Sequence, residues 1–105
     1  MNAINQTLEL TPSGLYCSVG DFHIDPWRPV KRAVITHGHA DHARWGSESY
    51  LCTQESKSLL RTRLGNEADI DTLAYGEIRS LNGLRLSLHP AGHILGSAQV
   101  RLEHR

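Results

Sequence analysis

The stretch Thr36-His37-Gly38-His39-Ala40-Asp41-His42 concentrates three imidazoles and a carboxylate within six residues. Zinc prefers nitrogen, sulfur and carboxylate oxygen donors in a tight tetrahedral shell. Supplying several donors from one short segment requires a backbone that bends closely around an ion. Gly38 tolerates unusual dihedrals and Ala40 keeps bulk away. His37 and His39 point the same way if the segment is extended, because side chains alternate along a strand. Asp41 and His42 then diverge if the chain turns into a helix, so they can face a second ion. A lone histidine is ordinarily a surface or satisfied core residue. His-rich tags imitate the density of this segment but lack its ordered Asp41.

A catalytic zinc shell asks for a further donor beyond His37 and His39. His93, between Gly92 and Ile94 in a loop after a strand, is the candidate, on the expectation that a strand-end loop of the same sheet brings it there. His89, four positions earlier, reads as an orienting or structural residue, and His104 as free. Cys17 and Cys52 have no partner at ligand spacing and read as free, buried thiols.

The elements that must position these groups follow from pattern. Ala33-Val34-Ile35 is a buried strand that runs directly into the ligand segment, and a rigid strand end is a good mount for a site. Asp41 to Trp45 can form a helical turn, with Asp41 at its positive end and Gly46 stopping it. Tyr50-Leu51-Cys52 is a second strand. Thr53 can cap a helix from Gln54 to Leu64, with Glu55 in its first turn and Gly65 past its end. Leu60 and Leu64 share one face of that helix, Leu59 lies beside them, and Arg61 and Arg63 look outward. Strand, helix and strand in succession argue for α/β layering.

Toward the N-terminus, residues 1–13 are polar and end in the turn signal Thr11-Pro12-Ser13-Gly14, which predicts a loose start. Leu15 to Val19 and Phe22-His23-Ile24 read as strands around a Gly20-Asp21 turn, with His23 exposed. Asp25 before Pro26 is turn chemistry. Trp27-Arg28-Pro29-Val30-Lys31-Arg32 joins an aromatic to three cations. It is either a solvated loop with Trp27 tucked against the body or a surface that stacks a base and holds a phosphate. Toward the C-terminus, residues 66–71 form a polar connection and Asn82-Gly83 signals a hairpin within Ile78 to Leu88. Leu84, Leu86 and Leu88 alternate with polar residues. A three-residue loop pairs Ser80 with Leu86, whereas a two-residue loop sets Arg79 there, so the longer turn or a bulge is expected. Val100 and Leu102 belong to a last strand.

Composition bounds the function classes. The 105 residues make one domain at most, with no internal repeat or boundary. Eleven basic residues balance eleven acidic ones, so no global field draws the chain to nucleic acid, although a local patch can. No apolar run reaches the length of a membrane span and no signal-peptide core is present. A cytoplasmic location is the expectation.

The segment from Val34 to His42 resembles the H-x-H-x-D-H signature of the metallo-β-lactamase fold. The stretch His89-Pro90-Ala91-Gly92-His93-Ile94-Leu95-Gly96-Ser97-Ala98-Gln99, with Gly14-Leu15-Tyr16-Cys17 and Ile24-Asp25-Pro26-Trp27, is similar to its β-CASP nuclease branch. Within that branch it looks most like bacterial DNA ligase-associated exonucleases, also described as mRNA 3′-end processing factor-like. The likeness runs from Leu8 to Arg105 and covers only the front part of such proteins.

The resemblance implies the N-terminal half of an αββα sandwich, residues 1–105 being one partial domain, with a mixed sheet and helices on one face. It implies zinc held by His37, His39 and His93, with Asp41 and His42 serving a second ion, Asp25 bonding into the ligand loop, and Asp41 also orienting water as the catalytic carboxylate. Two ions about 3.5–4 Å apart then activate a hydroxide toward phosphorus. Manganese or iron also suit His/Asp donors. The implied function is a zinc-dependent phosphodiester hydrolase, an exonuclease acting on ends of DNA more than RNA. Its context would be DNA repair in association with a DNA ligase. Trp27, Arg28, Lys31 and Arg32 are the candidate substrate contacts. A further bridging Asp, a later His and the domain that covers the cleft are all missing from residues 1–105. One well-held zinc, a weak second site and little activity are therefore expected of this chain alone. The signature at 37–42 is equally compatible with a hydrolase of thioesters, lactones or lactams, or with a non-catalytic module that folds around zinc.

Overall fold

The computed structural model describes residues 8–36, 44, 46–91 and 98–104. Among them a six-stranded sheet is built in chain order from β1 (Leu8–Thr11), β2 (Gly14–Cys17), β3 (Phe22–Ile24), β4 (Arg32–Val34), β5 (Ser49–Thr53) and β6 (Ile70–Leu73). The first three strands are antiparallel neighbours, and β3, β4, β5 and β6 then run parallel. A three-stranded antiparallel sheet follows, made of β7 (Ile78–Leu81), β8 (Leu84–Pro90) and β9 (Ala98–His104).

Parallel neighbours need a crossover, and the one between β5 and β6 is the predicted helix. Thr53 accepts the amide of Ser56 at 3.2 Å, a 3-10 turn occupies Gln54–Ser56, and α1 runs from Lys57 to Leu64. Gly65, at φ 91°, ends it by returning its amide to the carbonyl of Arg61. Arg61 does not simply look outward. Its guanidinium donates to the carbonyls of Gly65, Asn66 and Ala68 and closes the helix C-terminus.

Period-2 alternation divides the six-stranded sheet between two cores. Cys17, Phe22, Val34 and Leu73 face Leu84, Leu86, Leu88 and Ala98 of the second sheet. Ala33, Ile35, Tyr50 and Cys52 face the opposite way and bury Leu60 of α1. Each such leucine, removed from water, contributes about 1.5–3 kcal/mol before entropy is counted. The order helix, sheet, sheet is the expected α/β layering with a mixed sheet, and it supplies three layers of an αββα arrangement. Cys17 and Cys52 are free and buried, as their spacing suggested.

Four further expectations need correction. Leu8–Thr11 is not loose: it pairs with β2 across the predicted turn, Leu8 opposite Cys17 and Leu10 opposite Leu15. The β7–β8 hairpin uses the two-residue loop and sets Arg79 opposite Leu86. Asn82 at φ 53° and Gly83 at φ 84° supply the positive dihedrals that match strand twist. Arg79 is tolerated on the core face because it reaches the sheet margin, where its guanidinium meets Asp71 at 2.9 Å. His23 is half-buried rather than exposed, its ring 4.6 Å from that of Tyr16, and burial lowers its pKa. Finally, the strands flanking His93 belong to the second sheet, not to that of β4.

Candidate metal centre

Because β3 and β4 are parallel, their C-terminal ends share one rim, and Asp25 and Thr36 stand there. Ile35 is buried and donates to Leu51, which carries the strand ladder right up to Thr36. Asp25 donates its amide to Val34 at 2.9 Å and takes a φ of 46°. That dihedral turns its carboxylate onto Thr36. One oxygen accepts the Thr36 amide at 2.8 Å and the other accepts the Thr36 hydroxyl at 2.6 Å. Asp is one of the few non-glycine residues that visits this backbone region readily. The residue therefore serves both as the turn that precedes Pro26 and as a clamp on the residue before His37.

The candidate ligands His37, His39, Asp41, His42 and His93 lie outside the described residues, as does the helical turn expected from Asp41. Among the described residues no three His, Cys, Asp or Glu side chains gather as a metal would require. The flanks of the two ligand segments are nevertheless fixed. Ala98, the first residue of β9, donates its amide to the carbonyl of Thr36 at 2.7 Å. Thr36, just before residue 37, and Ala98, just after residue 97, are thus hydrogen-bonded to each other, across two sheets.

Past residue 43, Arg44 and Ser47 are held by a residue that pattern reading took for a plain strand position. Tyr50 is buried in the helix-side core. Its hydroxyl donates to the carbonyl of Arg44 at 2.7 Å and accepts the amide of Ser47 at 3.0 Å. The available signal was chemical: a buried tyrosine hydroxyl needs a partner, and the adjoining loop can offer one. Val30 reinforces the loop, its amide bonded to Ser47 Oγ and its carbonyl to the Glu48 amide.

The remaining candidates are dispersed. His89 Nε2 lies 2.8 Å from Ser87 Oγ, on the face of β8 opposite Leu88. Trp27 is 51% exposed, and its amide is bonded to Ser13. It is therefore not tucked against the body. Arg28 is exposed beside it. Lys31 and Arg32 sit at the beginning of β4, and Arg32 lines a cavity of about 430 Å³ with Asp71 and Arg79 at the opposite strand ends. The crossover from β3 to a parallel β4 carries the chain back along the sheet between Trp27 and Arg32. Beside the rim, a hollow of about 560 Å³ is lined by Leu15, Ile24, Thr36, Ala98 and Val100. No helix among the described residues is long and apolar enough to cross a membrane.

No family model matches the chain. It is similar to a probable DNA ligase of Opitutus terrae, at 38% identity over 87% of its own length, and spans 9% of that protein. It is similar as well to cleavage and polyadenylation specificity factor 73 of Drosophila melanogaster, at 29% identity over 81% of its own length, and spans 15% of it. The chain therefore corresponds to a small part of each of these curated relatives.

Proposed function

We propose that this chain carries the metal-binding part of a phosphodiester hydrolase acting on nucleic acid, with DNA ends in a repair setting as the substrate. The observation that carries this reading is the bond from Ala98 to the Thr36 carbonyl. It draws together the roots of two segments that bear four imidazoles and a carboxylate. That donor set, on strand ends already tied to each other, suits zinc. His37, His39 and His93 would hold one ion, and Asp41 and His42 would serve a neighbouring one. Bound there, zinc supplies Lewis-acid activation of water and neutralises charge on the phosphate oxygens.

The chain's own residues do the rest. Asp25 fixes Thr36, the residue that precedes the candidate ligand segment, through two hydrogen bonds. Groups bonded directly to a metal ligand typically change metal affinity about 10- to 100-fold, and Asp25, one residue further out, is expected to act below that range. Exposed Trp27 and Arg28 stand next to Asp25 and are placed to meet a base and a phosphate. Lys31 and Arg32 stand at the beginning of β4 and are the more distant candidates for this contact. The similarity to a protein named as a DNA ligase and to a cleavage factor supports a nucleic-acid substrate over a thioester, lactone or lactam.

Elemental analysis of the wild type and of His39→Ala, paired with turnover of end-labelled single-stranded DNA, RNA and a lactam or thioester reporter, tests the reading. Zinc in the wild type, its loss in the variant and shortening of labelled DNA are expected. Zinc with no turnover of any substrate would leave a non-catalytic module. A wild type that purifies metal-free and takes up no added zinc would overturn the reading altogether.

A further inference from the structure

We infer that Tyr50 is a positioning residue for the ligand segment, its hydroxyl pinning the end that Asp25 does not reach. This inference rests on the metal reading above. Asp25 secures Thr36, immediately before residues 37–43, with both carboxylate oxygens. Tyr50 secures Arg44, immediately after them, by donating to its carbonyl. The same hydroxyl accepts from Ser47, so the chain leaving the segment is held at two points by one oxygen. The ring is anchored by Ala33, Ile35, Cys52 and Leu60. The tether is consequently attached to a buried core cluster and not to another loop.

The physical consequence concerns preorganisation. A segment fixed at both ends has little end-to-end freedom to surrender when its side chains converge on an ion. A segment fixed at one end must lose that freedom on binding, and its affinity falls accordingly. The hydroxyl touches neither metal nor substrate in this scheme. It acts through the Arg44 carbonyl and the Ser47 amide.

Tyr50→Phe removes the hydroxyl and leaves the ring. Zinc dissociation is measured by competition with a chromophoric chelator for wild type, Tyr50→Phe and His39→Ala, beside thermal unfolding of each metal-free protein. The expected result is about 10-fold weaker zinc binding in Tyr50→Phe, with the metal-free protein less stable for the two lost hydrogen bonds but still folding cooperatively. Wild-type affinity in Tyr50→Phe, whatever its melting point, would overturn the inference while leaving the metal reading intact. A wild type that binds no zinc, or a His39→Ala protein that binds it normally, would instead remove the metal reading itself. A second measurement needs no variant. Coupling is reciprocal, so zinc must slow hydrogen exchange at the Ser47 amide in the wild type, and unchanged exchange there overturns the inference.

Discussion

Asp25 and Thr36 meet through two short bonds at once, carboxylate to amide at 2.8 Å and carboxylate to hydroxyl at 2.6 Å. An acceptor of this kind, partly withdrawn from water, is worth about 1.5–3 kcal/mol. Asp25→Ala strands both donors and is expected to destabilise the metal-free protein by that amount, measured by urea unfolding. Asp25→Asn accepts the left-handed backbone but keeps one good acceptor, so it should fall between alanine and wild type. Equal stability of Asp25→Ala and wild type would dissolve the clamp.

Leu60 is the side chain through which α1 meets the six-stranded sheet, and it is fully buried among Ala33, Ile35, Tyr50 and Cys52. Leu60→Ala removes three buried carbons and leaves a cavity, at a cost of about 2–5 kcal/mol. Leu59→Ala, one position along and 40% exposed, should cost far less. Comparing the two by thermal unfolding checks which face of the helix carries the load.

The Asn82-Gly83 turn makes a different demand. At φ 84° a β-carbon on residue 83 has no neighbour to strike within 4 Å, so the strain is purely of backbone origin. Gly83→Ala should destabilise by about 1–2 kcal/mol. Gly83→Asn, which enters this region more easily, should recover part of the loss. Denaturant midpoints of the three proteins are the readout.

Burial pushes the Cys52 thiol up to about 11 from its ordinary value of 9.0. The folded protein therefore favours the neutral thiol more strongly than the unfolded chain does. That contribution to stability is intact below pH 9 and is lost as pH climbs through 11, so unfolding free energy should decline across this window. Cys52→Ser or Cys52→Ala should flatten the decline. At pH 8 a thiol-directed reagent should label Cys52 slowly in the native protein and rapidly in denaturant.

The layering and the strands around the site were legible because their patterns are local. Ala33-Val34-Ile35, Tyr50-Leu51-Cys52 and the Thr53 cap are each specified within a few residues. Relations between distant segments were not legible. Nothing in the alternation of Leu84, Leu86 and Leu88 says that they close over Phe22 and Val34 from a separate sheet. For that reason the loop bearing His93 was expected on the sheet of β4. Hydrophobic pairing favoured a longer β7–β8 turn, yet the dihedral preference of Asn-Gly prevailed, leaving Ile78 on the outer face and 56% exposed. Lys31 and Arg32 are close to Trp27 in sequence but not along the sheet, because a parallel crossover separates them. Asp25 and Tyr50 show the same limit from the other side. Each has an ordinary local role, as a turn and as a strand residue, and only the folded chain reveals the bonds to Thr36 and Arg44. The candidate ligands His37, His39, Asp41, His42 and His93, so prominent as a motif, lie outside the described residues.

The bond between Ala98 and Thr36 also has a temporal meaning. Its partners are far apart along the polypeptide, so joining them carries the closure entropy of a long intervening loop. During synthesis the Thr36 end emerges long before β9 exists to meet it. A nascent chain halted before Ala98 would hold one half of the rim without the other. Whatever the joined rim accomplishes thus requires that translation has passed residue 98.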